Sequence, residues 1–186
     1  GAENVRAVMM PFRYTSNMSQ EDAAKQALTL GIRYDVIPIQ PMYEATIAQL
    51  LPVLGERKPD ATEENIQARC RGLLLMAISN KTGRMLLTTG NKSEMAVGYA
   101  TLYGDMAGGF APIKDCSKTL VYKLARYRNS LSPAIPERVI TRPPSAELRP
   151  DQKDSDSLPG YDVLEPILGA FIEEDLSVAE ITARGY

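Results

Sequence analysis

Short β-rich runs alternate with helical patterns along the first half of the chain, and this alternation restricts the fold more than any other feature. The run VRAVMM at 5–10 reads as a buried strand, and a helix is predicted from Ser19, its N-cap, to Gly31. YDVIPI at 34–39 predicts a second strand, and the leucine-rich stretch 44–55 predicts a second helix. Strands joined through helices favour a parallel sheet.

The same order is repeated once more. Apolar residues keep a helical spacing from Thr62, the expected cap, to about residue 81. MLLTT at 85–89 predicts a third strand, and a helix is expected from the GNKSE turn to about Tyr103. We therefore predict an α/β fold, a parallel sheet with helices on both faces, in one domain over 1–186.

The second half of the chain is less regular. A glycine-containing loop at 104–115 precedes a helix predicted from about Ser117 to Tyr127. Prolines and clustered charges predict a mobile surface segment over 130–160, after which helical patterns return.

Composition excludes several classes of function. The chain has no histidine, which excludes Ser/His and Cys/His catalysis within it and most zinc sites. Twenty-one basic against 23 acidic residues give a net charge of −2, so no positive field favours nucleic acid. No apolar run approaches the ~20 residues of a membrane span, and no signal-peptide pattern occurs. Two cysteines, Cys70 and Cys116, stand outside any metal motif, which predicts a cytoplasmic location.

The segment TTGNKSE at 88–94 is the most informative candidate site. It places Thr89 and Asn91 where a predicted strand ends and a helix begins, the edge at which open α/β folds bind ligands. Lys92 is suited to a phosphate, and Glu94 to Mg²⁺ beside a triphosphate. The alternative is an ordinary strand-to-helix turn with Asn91 or Ser93 as its cap.

Other residues suit binding but also have ordinary explanations. Asn65 and Arg69 share a helical face and either grip an anion or form a boundary pair. Lys118 opposes the dipole of its helix unless an anion lies between them. Ser145 either contacts a phosphate or is a turn residue, and Arg13 in the loop after the first strand either stacks on a base or is solvated. Three aromatic residues near GDMAGG either line a flat ring or pack in the core: Tyr99, Tyr103 and Phe110.

Four strings taken together resemble a known family: MPFRYTSNMSQEDA, NIQARCRG, TTGNKSEMAVGYATLYGDMAGGFAPIKD and RPPSAELRPDQKDSDSLPGYD. They resemble the synthetase domain of NAD synthetases, particularly the glutamine-dependent bacterial type, and the similarity covers nearly the whole chain. The resemblance implies a Rossmann-like domain of the adenine nucleotide α-hydrolase or N-type ATP pyrophosphatase class, usually a homodimer. It also implies ATP-dependent amidation of deamido-NAD to NAD with Mg²⁺, through an NAD-adenylate.

The resemblance also assigns roles to residues. Glu94 and Lys118 match catalytic positions, Glu94 as the Mg²⁺ ligand and Lys118 as the lysine that neutralises the triphosphate. Five residues match the ATP side: Thr89, Glu94, Lys118, Ser145 and Arg13. Four match the deamido-NAD side: Asn65, Arg69, Tyr99 and Asp105.

Three departures from the family pattern affect activity. No Ser-Gly-Gly-x-Asp-Ser string, the family's pyrophosphate-binding motif, occurs in the sequence. A basic C-terminal stretch and a nitrilase-like glutaminase domain are not found either. We therefore expect an internal part of the synthetase domain, truncated at both ends, that folds but is inactive alone, ammonia coming from a separate glutaminase domain.

Two alternatives stay open at this point. One is a nucleotide-binding or dimerisation module without catalysis. The other is an N-type ATP pyrophosphatase that amidates a different carboxylate. Binding of ATP compared with binding of deamido-NAD distinguishes them.

Overall fold

The structure is a computed structural model that describes residues 1–186. Its two strands are β1 (Arg6–Met9) and β2 (Arg33–Val36). Its helices are α1 (Asn17–Leu30), α2 (Gln40–Leu54), α3 (Ala61–Thr82), α4 (Lys92–Ala96), α5 (Lys118–Leu131), α6 (Glu137–Thr141), α7 (Tyr161–Leu168) and α8 (Val178–Ala183). Single turns of 3₁₀-helix occupy Ala2–Asn4 and Asp154–Asp156, and a π-helical turn follows α7 at Gly169–Glu173.

The N-terminal part is a strand–helix–strand unit. β1 and β2 pair in parallel, and α1 connects them while packing against both strands. Ser16 caps α1 through its side chain, which accepts a hydrogen bond from the Ser19 amide at 3.1 Å. The helix ends at Gly31, whose φ of 63° is left-handed and favours glycine. This unit confirms the predicted α/β class. The predicted cap at Ser19 was wrong, because the Ser16 hydroxyl binds the free amide at the start of the helix.

The best-packed part of the core lies beside these strands. Four buried side chains form it, two from the segments that follow β1 and β2 and two from α3: Phe12, Ile39, Ile66 and Cys70. Asp60, rather than the expected Thr62, caps α3, because Asp60 and Glu63 form a reciprocal capping box. The predicted long helix is otherwise confirmed.

The predicted third strand at 85–89 does not form as a strand. This stretch makes one parallel bridge, between Leu87 and Phe110, with the Thr88 amide donating to the Phe110 carbonyl at 2.9 Å. A strand needs hydrogen-bonding neighbours along its length, and Leu87 stays 54% exposed here. The helix expected to reach Tyr103 ends at Ala96, since Gly98 turns the chain with a φ of 70°.

The segment 130–160 is anchored to the N-terminal unit. Arg138 in α6 forms a bidentate pair with Asp22 of α1, at 2.9 and 3.0 Å. The Glu147 carboxylate accepts hydrogen bonds from the hydroxyls of Ser16 and Ser19 at 2.8 and 2.7 Å. Charged contacts therefore hold this segment in place, in contrast to the expected mobile surface segment. Its composition did not reveal these contacts, because their partners lie far away in the sequence.

No helix in the structure combines the length and the apolar composition that a membrane span requires.

Candidate active site

Two adjoining cavities lie beside α4 and α5, with volumes of about 570 and 480 Å³, and α3 lines the larger one. They share polar residues from the 88–105 stretch and from the start of α5: Thr88, Thr89, Glu94, Tyr99, Asp105 and Lys118. The larger cavity extends to the proline-rich 142–148 segment. Residues far apart in sequence therefore meet in one continuous space.

Glu94 and Lys118 form an ion pair at the wall shared by both cavities. Lys118 Nζ lies 2.7 Å from Glu94 Oε1, and the two side chains are 17% and 18% exposed. Glu94 is held in place by a capping box, in which its other carboxylate oxygen accepts from the Asn91 amide at 3.2 Å. Asn91 caps α4 in return, at 3.0 Å from the Glu94 amide. The ordinary interpretation of this turn, with Asn91 as cap, is thus confirmed alongside the cavity.

Acidic side chains of the chain itself balance the positive end of α5. Ser117 caps this helix by accepting from the Leu120 amide at 3.2 Å. The Glu165 carboxylate accepts from the Thr119 amide at 3.0 Å, while Glu94 pairs with Lys118. The conflict between Lys118 and the helix dipole is therefore relieved by two glutamates without a bound anion.

Thr89 and Ser145 also line the larger cavity. The Ser145 hydroxyl donates to the Gln152 carbonyl at 2.5 Å and accepts from the Glu147 amide at 3.1 Å, which fixes the turn. Lys92 lies elsewhere, because its ammonium pairs with Glu173 on the surface. The contact of Lys92 with a phosphate stays a prediction.

Asn65, Tyr99 and Asp105 line a smaller cavity of about 150 Å³. The Asn65 carbonyl oxygen accepts from the Thr101 hydroxyl at 2.8 Å, and Asp105 accepts from the Thr101 amide at 2.7 Å. Burial, together with the negative charge of Glu94, raises the pKa of Asp105. Burial and the Asp154 carboxylate raise the pKa of Tyr99 to about 12, and its hydroxyl is buried without a hydrogen-bond partner.

The two arginines singled out from the sequence lie outside these cavities. Arg13 pairs with Glu44 at 3.3 Å and stacks over Phe12, with 5.0 Å between the guanidinium carbon and the ring centre. Arg69 donates to the Leu102 carbonyl at 3.2 Å from an exposed position. Their expected contacts with ligands stay predictions.

Several cavity or near-cavity residues were missed by the sequence analysis. Arg71 and Arg142 line the larger cavity. Three further residues lie in it or beside it. Asp154 lines the larger cavity, is 4% exposed and accepts from the Tyr161 hydroxyl at 2.8 Å. Burial, followed by the Asp154 contact, raises the pKa of Tyr161 above its usual range. The third is Glu165. No local signal identifies these residues, because the first lies in a charged cluster that resembles solvated surface and the other two lie on a helix.

A family model described as NAD synthase matches residues 1–186. The glutamine-dependent NAD(+) synthetase of Acinetobacter baylyi is 60% identical over 188 residues, covering the whole chain and 35% of that relative. The chain thus spans about a third of the length of the curated relatives it matches.

Two solved structures extend the comparison. The glutamine-dependent NAD+ synthetase of Acinetobacter baumannii, in complex with ADP, is 55% identical with a TM-score of 0.76, over 100% of this chain and 33% of that one. The NMN synthetase of Francisella tularensis is 27% identical with a TM-score of 0.80, over 96% of this chain and 70% of that one. Since the family model spans every residue and the fold agrees with these structures, the chain belongs to the NAD synthase family.

Proposed function

We propose that these residues form part of an NAD synthetase that amidates deamido-NAD at the expense of ATP. The observation that carries the proposal is the convergence of Glu94, Lys118, Thr89 and Ser145 on one cavity, in a chain 60% identical to a glutamine-dependent NAD(+) synthetase. A cation, hydroxyls and a carboxylate around one space suit the triphosphate of ATP.

The proposed reaction needs no histidine. A nicotinate carboxylate oxygen attacks the α-phosphorus of ATP, the bond to the β-phosphate breaks, and pyrophosphate leaves. Ammonia then attacks the carboxyl carbon of the NAD-adenylate, the bond to AMP breaks, and the nitrogen loses a proton. Positioning and neutralisation of phosphate charge do most of the catalytic work in such transfers, and Lys118 supplies a partly buried positive charge for it.

We assign the ligand sides of the cavity as follows. Thr89, Lys118 and Ser145 face ATP, with Arg13 as an outer contact. The smaller cavity, with Asn65, Tyr99 and Asp105 in its wall, takes the nicotinate side of deamido-NAD. Its support is the buried Tyr99 hydroxyl, which lies near the Asp154 carboxylate without a hydrogen bond of normal geometry and which a polar ligand atom would satisfy. Arg69 is assigned to the outer part of the dinucleotide.

Magnesium fits this site only as an ion shared with ATP. No group of three or more acidic or cysteine side chains in the structure could hold a metal by itself. Glu94 and Asp105 line both cavities, and burial, followed by the charge of Glu94, raises the pKa of Asp105, so a cation near them would favour the ionised carboxylate. Mg²⁺ commonly takes one or two protein carboxylates together with phosphate oxygens, and it supplies charge neutralisation at the phosphates.

The proposal extends to the assembly and to its surroundings. Four exposed apolar residues form one stripe along α5, which supports a homodimer: Leu120, Leu124, Tyr127 and Leu131. Both cysteines are free, as in a reducing cytoplasm. We further propose that ammonia comes from glutamine through a glutaminase domain separate from these residues.

The 186 residues alone are proposed to be inactive. Their sequence contains no Ser-Gly-Gly-x-Asp-Ser string, so the backbone donors that this motif offers to pyrophosphate are not provided by them. Removal of a single donor to a developing oxyanion costs about 2.7–4 kcal/mol. Turnover by the isolated 186-residue polypeptide at the rate of the full natural protein would refute this point.

A second candidate is amidation of the mononucleotide instead of the dinucleotide. It is favoured by the TM-score of 0.80 to the NMN synthetase of Francisella tularensis, on 96% of this chain. The identity of 60% to a NAD(+) synthetase favours the dinucleotide.

The test uses the full natural protein as its gene encodes it. Deamido-NAD and nicotinate mononucleotide are each incubated with ATP, Mg²⁺ and ammonium, and the amide product, AMP and pyrophosphate are quantified by chromatography. We expect NAD and AMP in equal amounts from deamido-NAD. Preference for the mononucleotide would favour the second candidate, and calorimetric binding of ATP without AMP formation would indicate a nucleotide-binding module.

A variant pair tests the assigned cation. Lys118→Met should lower kcat by about 100-fold or more, because it removes a charge that acts on the transferring phosphate. Lys123→Met is the matched control, since Lys123 lies on the same helix, is exposed and forms no ion pair. Equal rates in the two variants would contradict the role of Lys118.

A further inference from the structure

The carboxylate of Glu165 lies where α4, α5 and α7 meet, outside the residues assigned to ligands. Its Oε1 accepts hydrogen bonds from the Ser93 hydroxyl at 2.8 Å and from the Thr119 amide at 3.0 Å. Its Oε2 accepts from the Thr119 hydroxyl. One side chain of α7 thus binds both α4 and α5, and the donor residues Ser93 and Thr119 lie next to Glu94 and Lys118 in the sequence.

Ser93 links this carboxylate to the backbone of Lys118. Its hydroxyl donates to Glu165 and accepts from the Lys118 amide at 3.0 Å, and the residue is 1% exposed. Since Ser93 precedes Glu94 directly, the same hydroxyl fixes the turn that carries Glu94. A shift of Glu165 would therefore move both ends of the ion pair.

The electrostatics of the contact favour an ionised Glu165. Burial opposes ionisation, but hydrogen bonds from Thr119 and Ser93 outweigh it and lower the pKa of Glu165. The carboxylate also lies at the N-terminus of α5, the positive end of a 14-residue helix. A glutamate here stabilises the helix start from which the Lys118 side chain projects.

A second contact from α7 reaches the same lysine. Tyr161, one turn before Glu165, lies with its ring centre 5.6 Å from Lys118 Nζ. α7 therefore restrains Lys118 at its backbone, through Glu165 and Ser93, and at its ammonium, through Tyr161. The ion pair with Glu94 adds the third restraint, at 2.7 Å.

We propose that Glu165 is a positioning residue, which holds Lys118 and Glu94 in the orientation that binds ATP. The hydrogen bonds that carry this inference do not depend on the reaction, but its consequence for ATP rests on the proposed function. Glu165 itself touches no reacting atom. Replacement of such a supporting side chain commonly changes affinity or activity by about 10–100-fold.

The test compares three variants of the full natural protein. Glu165→Ala removes every contact, whereas Glu165→Gln keeps an acceptor for Ser93 and for the Thr119 amide. Asp162→Ala is the control, because Asp162 is exposed on the same helix and makes no hydrogen bond or ion pair. Steady-state kinetics give kcat and KM for each substrate, and hydrogen–deuterium exchange follows the peptide that contains Lys118 and Thr119.

We expect Glu165→Ala to raise the KM for ATP about tenfold and to lower kcat, with little change in the KM for deamido-NAD. A purely structural defect would reduce the amount of active protein but leave the KM for ATP unchanged. The peptide with Lys118 should exchange faster, and Glu165→Gln should restore most of both readouts. An unchanged KM for ATP in Glu165→Ala, or equal damage in the Gln variant, would overturn the proposal.

Two further outcomes are also decisive. If Glu165→Ala does not fold, Ser93→Ala replaces it in the test, since this small change removes the hydrogen bond to the Lys118 amide. Hydrogen–deuterium exchange at the wild-type rate in the peptide with Lys118 would then overturn the proposal. If the wild-type protein makes no NAD, the proposed function fails, and unchanged exchange in Glu165→Ala would separately overturn the positioning role.

Discussion

Gly72 offers a test of how tightly the candidate site is packed against α3. It lies in the middle of this helix, where the chain at Tyr103 and Gly104 crosses the helix surface. A Cβ built on Gly72 would lie 2.9 Å from the carbonyl oxygens of both residues. Asp105, which lines both main cavities, follows this turn directly. Gly72→Ala is therefore a probe of the support beneath the site.

Two effects of opposite sign determine the result. Alanine in place of glycine in a helix interior is favourable by about 1 kcal/mol. Against this, the neighbours are backbone atoms, which cannot rotate away as a side chain does, and an extra carbon in a tightly packed place costs about 1–3 kcal/mol. We expect the steric cost to exceed the gain, with a net loss of about 1 kcal/mol in the free energy of unfolding.

Urea unfolding measures this difference, with Gly169→Ala as the matched control. Gly169 has a helical φ of −61°, and no atom lies within 4 Å of the position of its Cβ. That variant should be more stable than the wild type by about 0.4–1 kcal/mol. If Gly72→Ala were stabilised as much as Gly169→Ala, the close approach of α3 to the Tyr103–Gly104 turn would be refuted.

Two pH-dependent predictions follow from carboxylates with shifted pKa values. The folded pKa of Asp105 is raised above its usual 3.8, so stability is lost as pH rises through the folded value. Asp105→Asn should hence be more stable than the wild type at pH 7 and equal to it near pH 3, as measured by the midpoints of urea unfolding. A difference in stability that stays the same at both pH values would contradict this. Arg138 lowers the pKa of Asp22 below 3.8, so its contribution is present above that pH and lost as pH falls through the folded value. Asp22→Asn should destabilise the protein at neutral pH, with a difference that shrinks in acid, and an unchanged difference at low pH would count against the Arg138 contact.

The sequence predicted the elements that local chemistry determines. Gly31 was expected to end α1, and it does so in a left-handed conformation that few other residues adopt. Asn91 was one of the two caps that the ordinary interpretation of the 88–94 turn allowed, and its capping box with Glu94 has the spacing that such boxes require. In these cases the interacting atoms lie within one helical turn, so the pattern contains both partners.

Elements that depend on distant partners could not be predicted in this way. The 85–89 stretch has the composition of a strand, but only Phe110 pairs with it, and strand formation depends on neighbours along the whole edge. Glu165 has the sequence context of any helical glutamate, and its donors lie 72 and 46 residues away. Only the fold brings such groups together.

The Glu94–Lys118 pair explains how the proposed ATP site can be organised before a ligand binds. An isolated lysine in a cavity would lose hydration without compensation, which is costly. Glu94 supplies a partner at 2.7 Å, so the ammonium is held at the wall that both cavities share. In the proposed reaction Lys118 exchanges a carboxylate oxygen for phosphate oxygens, and Glu94 is left to face a cation. Because this exchange replaces one ion pair with another, reorganisation of the site costs little electrostatic energy. More of the binding energy of ATP is then available to stabilise the transition state.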